Sequence, residues 1–488
     1  MERNKKIFFI LLFVLVAMRL INITMPLLEG TTMRQVQTAV IAKNILKDNF
    51  NILYPKTDFS GNSTAYLALE FPLLNLLAAL GYWLLGAVHE WFGRILSILF
   101  FSGAAIFLYN IVKKLFGEEV SLWSVAVFGL SPLSIIFSRC FMPDFEMIFF
   151  SLGAFYFMLQ YIDSLKSRNF WLSAVFIALA MLVKPHSFYM YIVIFFLLFQ
   201  NKEKLPVFRP SNWLYFTLTL IPAALWYYHG KNLHSLFEKE QAFNFQVSNW
   251  FNLSELLSVK FYTQVFEIFS GILLTPFGLS LLIFGLFLKT KGKENLLLAW
   301  LAASIIYLIA FITHITDPYY NLNFLPVASV IIARAIVHLK QSSLTNTYLK
   351  NNWAKIILII IVLPFWARYS IYAYIIPKGY KHIPQATQKS QTITSPGDLF
   401  IAANPGGSAA LYYLDRKGWT FDLPGTSTEK TQAAINYLSK LINSRATYFI
   451  CAVTTELEQS PEFNKYLLNS YKIVAEESGK YILFKLTK

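Results

Sequence analysis

Twelve apolar runs separated by short polar connections leave this 488-residue chain few ways to fold. They cover residues 7–23, 71–88, 95–112, 122–137, 145–162, 170–183, 189–199, 213–228, 268–288, 296–312, 319–337 and 356–376. Runs of this kind belong in a hydrocarbon layer, where a helix satisfies its own backbone and an irregular chain does not. The chain is 56% hydrophobic and 14% charged, with a mean hydropathy of +0.48, which excludes a water-soluble enzyme as the main body. Its 42 Lys and Arg exceed its 27 Asp and Glu, but these cations sit in clusters between the runs, so no nucleic-acid partner is implied.

The clusters are Lys5-Lys6, Lys113-Lys114, Lys166 with Arg168, Lys202 with Lys204, Lys289 with Lys291 and Lys293, and Lys340 with Lys350 and Lys355. From Lys113 onward they alternate with cation-poor connections, the pattern of cytoplasmic loops alternating with outer ones. If Lys5-Lys6 and Lys113-Lys114 are both cytoplasmic, an even number of crossings separates them. Three apolar runs lie between, so one does not cross. The run at 71–88, introduced by Glu70 and carrying Pro72, is expected to lie along the outer surface. The expectation is about eleven crossings, a cytoplasmic N-terminus, and an outer location for the loop 25–93 and for everything after residue 377. The first run resembles a signal peptide, but no small-residue cleavage site follows it, and it reads as a retained span.

Residues 378–488 change to the composition of a small soluble α/β domain. Strands are expected over 399–403, 448–453 and 481–486, and an amphipathic helix over 429–443. The two cysteines, Cys140 and Cys451, lie in different regions and imply neither a disulfide framework nor a zinc site.

Two groups of polar residues stand out against this apolar background. In the first outer loop, Thr32 and Gln35 have the spacing of a capping box, which starts a helix at Met33. Glu29 then sits in a Gly30 turn before a helix N-terminus, whose partial charge favours a carboxylate, with Arg34 on the first turn. On the same expected face, Arg94 opens the second crossing, Arg139 ends the third before Pro143-Asp144, Lys184-Pro185-His186 follows the fifth, and His314, Asp317, Tyr319 and Tyr320 follow the ninth. Ionisable groups at the membrane edge are costly, and single ones converging on one face point to a shared anion such as a phosphate. Plainer readings stand beside this one. Asp144 suits a helix cap, Arg139 and Lys184 suit snorkelling ends, and His314 with the tyrosines suits an interfacial aromatic belt. Arg19, inside the first span, is free to pair with any of the acids.

The order of the outer-loop acid, Met33-Arg34-Gln35-Val36-Gln37-Thr38-Ala39, Glu70-Phe71-Pro72-Leu73, Gly93-Arg94, Ser131-Pro132, Ser138-Arg139, Pro143-Asp144 and Lys184-Pro185 resembles the GT-C membrane glycosyltransferases. More narrowly it resembles glycosyltransferase family 39, the group of the protein O-mannosyltransferases and the aminoarabinose transferases of lipid A. The similarity extends to Leu411-Tyr412-Tyr413-Leu414-Asp415-Arg416-Lys417-Gly418-Trp419. The resemblance implies a polytopic α-helical GT-C protein of about eleven transmembrane helices plus outer-face juxtamembrane helices, with a catalytic module over 1–377 and a small extracytoplasmic α/β domain over 378–488. It implies a location in the cytoplasmic (inner) membrane, a polyprenyl-phosphate-sugar donor, and a protein, lipid or glycan acceptor on the outer face.

The resemblance also places a base in the first outer loop. By position that is Glu29, although the family more often carries an aspartate there. Inverting attack would follow, with Asp144 orienting the acceptor. The donor phosphate would meet Arg34, Arg94, Arg139, Lys184, His314 and Tyr320, with Glu70 and Asp317 close by. A divalent metal is possible but not required; Glu29 and Asp144 are the residues that would hold it. The alternative is a transporter or flippase of a lipid-linked sugar, for which two related halves with mid-membrane breaks are expected. No such repeat is visible in the sequence.

Overall fold

The computed structural model describes residues 2–63, 65–203, 209–237, 251–342 and 352–486. Lys204 and Lys350, used above in the charge count, lie outside the described residues. The described chain is mostly helical and divides into two compact units. One comprises Met1–Ile23, Arg94–Tyr228 and Val247–Tyr374; the other comprises Thr24–Gly93, His229–Gln246 and Ile375–Lys488. The segment Thr24–Gly93 therefore shares a unit with the C-terminal part, a grouping that a linear boundary at residue 377 does not express.

Four helical segments are long and apolar enough to cross a membrane among the described residues: Glu90–Phe116, Asp144–Ser164, Gly292–Ala310 and Ile359–Ile393. A bent pair would add a fifth. Several apolar runs that read as single spans are interrupted, and the interruptions have local causes. The run at 122–137 divides into Glu118–Leu130 and Pro132–Phe137. Ser131 caps the second piece through its Oγ, which accepts from the Ser134 N–H at 3.4 Å, and Pro132 needs no backbone donor there. The run at 268–288 contains a 105° bend between Val259–Leu273 and Thr275–Leu286. A π-helical turn over Phe269–Leu273 leads into Thr275, which takes a φ of +65° just before Pro276.

Large side chains such as Phe9, Phe13, Leu225 and Ile360 remain exposed on the helices of the first unit, as lipid-facing residues do. Inside, the rings of Phe101, Phe128 and Phe145 pack at centroid distances of 5.7 Å and 5.6 Å about Phe101.

The second unit begins with a helix over Thr32–Lys47 packed on a helix over Leu73–Leu85. The latter has 13 residues, about 20 Å of helix, against roughly 30 Å for a hydrocarbon core. Gly86 ends it at a φ of +72°. The expected capping box is absent. Thr31 is the N-cap and makes no side-chain cap bond, while the Gln35 amide donates instead to the Glu29 carbonyl at 2.8 Å. Gln35 is thereby a brace for the Glu29 turn.

Two short strands, β1 (Lys56–Thr57) and β2 (Ala65–Tyr66), form a small hairpin. The C-terminal residues form a five-stranded sheet of β3 (Leu399–Ala403), β4 (Gly418–Phe421), β5 (Ala446–Cys451), β6 (Lys472–Glu477) and β7 (Tyr481–Lys485), in the order β4-β3-β5-β7-β6. β4, β3 and β5 run parallel, while β7 and β6 are antiparallel additions. The expected amphipathic helix runs over Thr428–Asn443 and covers a core that includes Phe421, Phe449, Phe463 and Phe484. Two strands of this sheet escaped the sequence reading. β4 is four residues opened by a glycine, and β6 is a charged edge strand, so neither shows an apolar run.

Candidate active site

The Glu29 turn is built from residues on both sides of it. Gly30 takes a φ of +59°, which reverses the chain immediately after the acid. Leu27 and Leu28 are wholly buried and Glu29 itself is 0% exposed. The main chain is held at Glu29 by the Gln35 amide and at Leu27 by the phenol of Tyr413, which accepts the Leu27 N–H at 2.7 Å. On the following helix, Arg34 forms an ion pair with Glu70 and also donates to Gln37 at 3.3 Å. Glu70, placed in the same loop from sequence, is thus a carboxylate partner of Arg34. The pair is partly exposed, so the guanidinium presents its charge without being sealed off.

In the other unit, Lys184 donates to Asp144 Oδ1 at 2.6 Å with both side chains buried. Asp144 heads the helix Asp144–Ser164, and Lys184 follows the helix Ser167–Val183 in an extended conformation before Pro185. Lys184 also lies 5.2 Å from the ring centroid of Tyr319. From there an aromatic group continues. Tyr319 and Tyr320 are 4.5 Å apart, His314 stacks on Tyr320 at 5.2 Å, and His186 stands edge-on to Tyr320 at 5.1 Å. His186 is also 4.4 Å from the ring of Phe311. The structure thus brings Asp144, Lys184, His314 and Tyr320 into one neighbourhood. Asp317, in the same connection, has its carboxyl pushed up by burial, with His314 opposing the shift.

Arg139 is placed differently from the sequence expectation. Its guanidinium donates to the carbonyls of Ala373, Ile21 at 2.6 Å and Asn22 at 3.2 Å, and packs over the Tyr374 ring at 4.6 Å. Those bonds tie three chain segments together and commit the group to backbone acceptors. These bonds give Arg139 a structural role as a tie between segments. Arg19 likewise meets no acid in its hydrogen bonds: it donates to Ser138 Oγ at 2.5 Å, Ser134 Oγ at 3.1 Å, and the carbonyls of Leu15 and Gly129. Its charge also lies 3.6 Å over the Phe101 ring. The signal for this was in the sequence, because Ser131, Ser134 and Ser138 recur at helical spacing. Arg94 is fully buried near the start of the helix Glu90–Phe116.

Asp144 Oδ1 already holds an ammonium, and among the described residues no three His, Cys, Asp or Glu side chains gather as a ligand set. Cys140 and Cys451 are buried free thiols.

Residues 70–229 match the family model described as dolichyl-phosphate-mannose-protein mannosyltransferase. No curated protein matches the chain by sequence. Among solved structures, the archaeal oligosaccharyltransferase AglB from Archaeoglobus fulgidus, in complex with an inhibitory peptide and a dolichol-phosphate, aligns with a TM-score of 0.62 at 13% identity over 99% of this chain and 74% of that one. ArnT from Cupriavidus metallidurans bound to undecaprenyl phosphate aligns with a TM-score of 0.59 at 14% identity over 100% of this chain and 98% of that one. A form of the archaeal enzyme in complex with Zn and sulfate aligns at 0.61 with 13% identity, over 96% and 72% of the two chains. The chain is a multi-pass membrane protein with the GT-C fold that these glycosyltransferases share.

Proposed function

We propose that the chain is a glycosyltransferase that moves a sugar from a polyprenyl-phosphate donor to an acceptor on the outer face of the cytoplasmic membrane. The observation that carries the reading is the whole-length likeness to ArnT, a structure bound to undecaprenyl phosphate, in a chain whose residues 70–229 match a mannosyltransferase family. The buried carboxylates and cations support it, because ionisable groups are kept in an apolar protein at a cost.

In this reading Glu29 accepts the proton of the acceptor hydroxyl as its oxygen attacks the anomeric carbon. The bond from that carbon to the phosphate oxygen breaks, polyprenyl phosphate leaves, and the configuration inverts. Lys184, with His314 and Tyr320 beside it, and Arg34 and Arg94 offset the charge that develops on the leaving phosphate. Asp144 holds the Lys184 ammonium in place. About eleven crossings, a cytoplasmic N-terminus and an extracytoplasmic C-terminal domain complete the reading. The length of the helix Leu73–Leu85 supports an interfacial position for the 71–88 run.

The direct test supplies purified protein with radiolabelled undecaprenyl-phosphate sugars and cell-envelope acceptors. Transfer by wild type and its loss in Glu29→Gln are expected; equal transfer by both removes Glu29 as the base. A cysteine in place of the exposed Ala87 should react with impermeant reagent from outside, and labelling only from the cytoplasm refutes the topology.

A further inference from the structure

The C-terminal part of the chain is joined to the first outer loop at each stage of that loop. Near its start, the Leu27 N–H donates to the Tyr413 phenol oxygen at 2.7 Å. On the helix Thr32–Lys47, Lys43 pairs with Asp415. Further on, the Gly61 N–H donates to the Gly418 carbonyl at 2.8 Å, and the Gly418 N–H donates to the Asp58 carbonyl at 3.0 Å. Ser60 bridges Trp419 in antiparallel fashion, so the loop continues the sheet beyond its β4 edge. At the end of the loop, the Tyr413 hydroxyl donates to Glu90 Oε2 at 3.0 Å.

Tyr413 has a particular place in this arrangement. It stands on the helix Gly407–Leu414, whose last carbonyls, those of Tyr413 and Leu414, accept from the Gln391 amide at 3.1 Å and 2.8 Å. The helix end is therefore fixed from outside the loop. A phenol is able to accept a backbone N–H and donate to a carboxylate at once, and here it does both. The N–H it receives lies two residues before Glu29, in a stretch whose Leu27 and Leu28 are wholly buried. The Glu29 carbonyl is held two residues later by Gln35. The turn is thus clamped on one side by its own helix and on the other by the C-terminal domain.

We propose that Tyr413 is a positioning residue for the Glu29 turn, so that the C-terminal domain sets the catalytic geometry of the first outer loop through the Leu27–Tyr413–Glu90 bonds. This rests on the reading of Glu29 as the base. Phenylalanine at position 413 keeps the ring and loses both bonds, leaving a buried N–H without its acceptor.

The test uses the full-length protein in detergent or nanodiscs, with labelled undecaprenyl-phosphate sugar as donor. Tyr413→Phe is expected to lower kcat about tenfold while the donor KM stays within about twofold. Hydrogen exchange over residues 24–31 should quicken while the sheet strands keep their protection. The discriminating readout is the Glu29→Gln background, where Tyr413→Phe should cause no further loss, because a residue acting through Glu29 has nothing left to position. Full additivity there, or unchanged exchange over residues 24–31, overturns the proposal. Should Tyr413→Phe fail to fold, Glu90→Gln replaces it. That variant keeps an oxygen for the phenol and should lower kcat only about twofold, and a larger loss than in Glu29→Gln overturns the proposal. Full transfer by Glu29→Gln alone would retire the base, and the exchange measurement then decides whether Tyr413 holds the turn.

Discussion

Lys184 Nζ and Asp144 Oδ1 meet at 2.6 Å with side chains only 5% and 2% exposed. The pair joins the end of one helix to the start of another across 40 residues of sequence. In a buried setting each charge depends on the other, because desolvation of a lone charge is far more costly than that of a bonded pair.

Lys184→Met should therefore lower stability by about 3 kcal/mol, leaving the Asp144 carboxylate uncompensated. Adding Asp144→Asn to it should restore much of the melting temperature without restoring sugar transfer. Thermal unfolding of the two singles and the double in detergent checks this; simple additivity of the two losses would show that the pair is uncoupled.

Arg139→Met should also destabilise, by about 2 kcal/mol or more, since the carbonyls of Ile21, Asn22 and Ala373 lose a charged donor. Its donor KM should remain that of wild type, whereas Lys184→Met should raise it. Donor titrations on the two variants separate a backbone tie from a phosphate contact, and a raised KM in Arg139→Met would place that residue in the phosphate set.

Asp415 supplies a pH-dependent contribution. Burial alone would raise its carboxyl, but the hydrogen bond from Lys43 and the charges of Lys43, Lys47 and Arg416 outweigh burial and hold it below the ordinary aspartate value. A depressed carboxyl contributes stability above its unfolded value, about 3.9, and loses it as the pH falls through the folded value. Asp415→Asn, which also suits the φ of +50° at this position, should melt below wild type at pH 7. The gap should close as the pH falls below about 4. Because the group is more than half exposed, the gap should be small, and a gap that widens in acid would contradict the assignment.

Gly61 and Gly86 offer a matched pair, with φ of +64° and +72°. Alanine at Gly86 meets open space and should cost about 1 kcal/mol for its backbone alone. At Gly61 the added carbon overlaps the Trp419 ring, so Gly61→Ala should cost distinctly more and loosen exchange protection along β4. Equal melting temperatures for the two variants would mean that the loop does not cap the sheet.

Much of the fold was legible because apolar length and strand period are local properties. The strand at 399–403 and the helix at 429–443 announce themselves by their own side chains. The number of straight crossings was less so, since the break at Ser131–Pro132 and the bend at Thr275 interrupt runs whose apolar character continues through them. In the candidate site, Asp144 with Lys184 and Glu70 with Arg34 were each identified as ionisable residues, but their pairings span 40 and 36 positions. No short-range rule encodes those pairings.

What the sequence by itself determined is the chemistry available: apolar segments for a membrane, cations in the connections between them, and single acids and bases in an apolar chain. Tertiary structure alone decided how these groups are used. It committed Arg139 and Arg19 to backbone and serine oxygens, joined Lys184 to Asp144, and put the Glu29 turn under the hold of Tyr413. The reason is physical. A buried charge or N–H must find a partner wherever the fold provides one, and which partner lies within 3 Å or so depends on packing between segments remote in sequence.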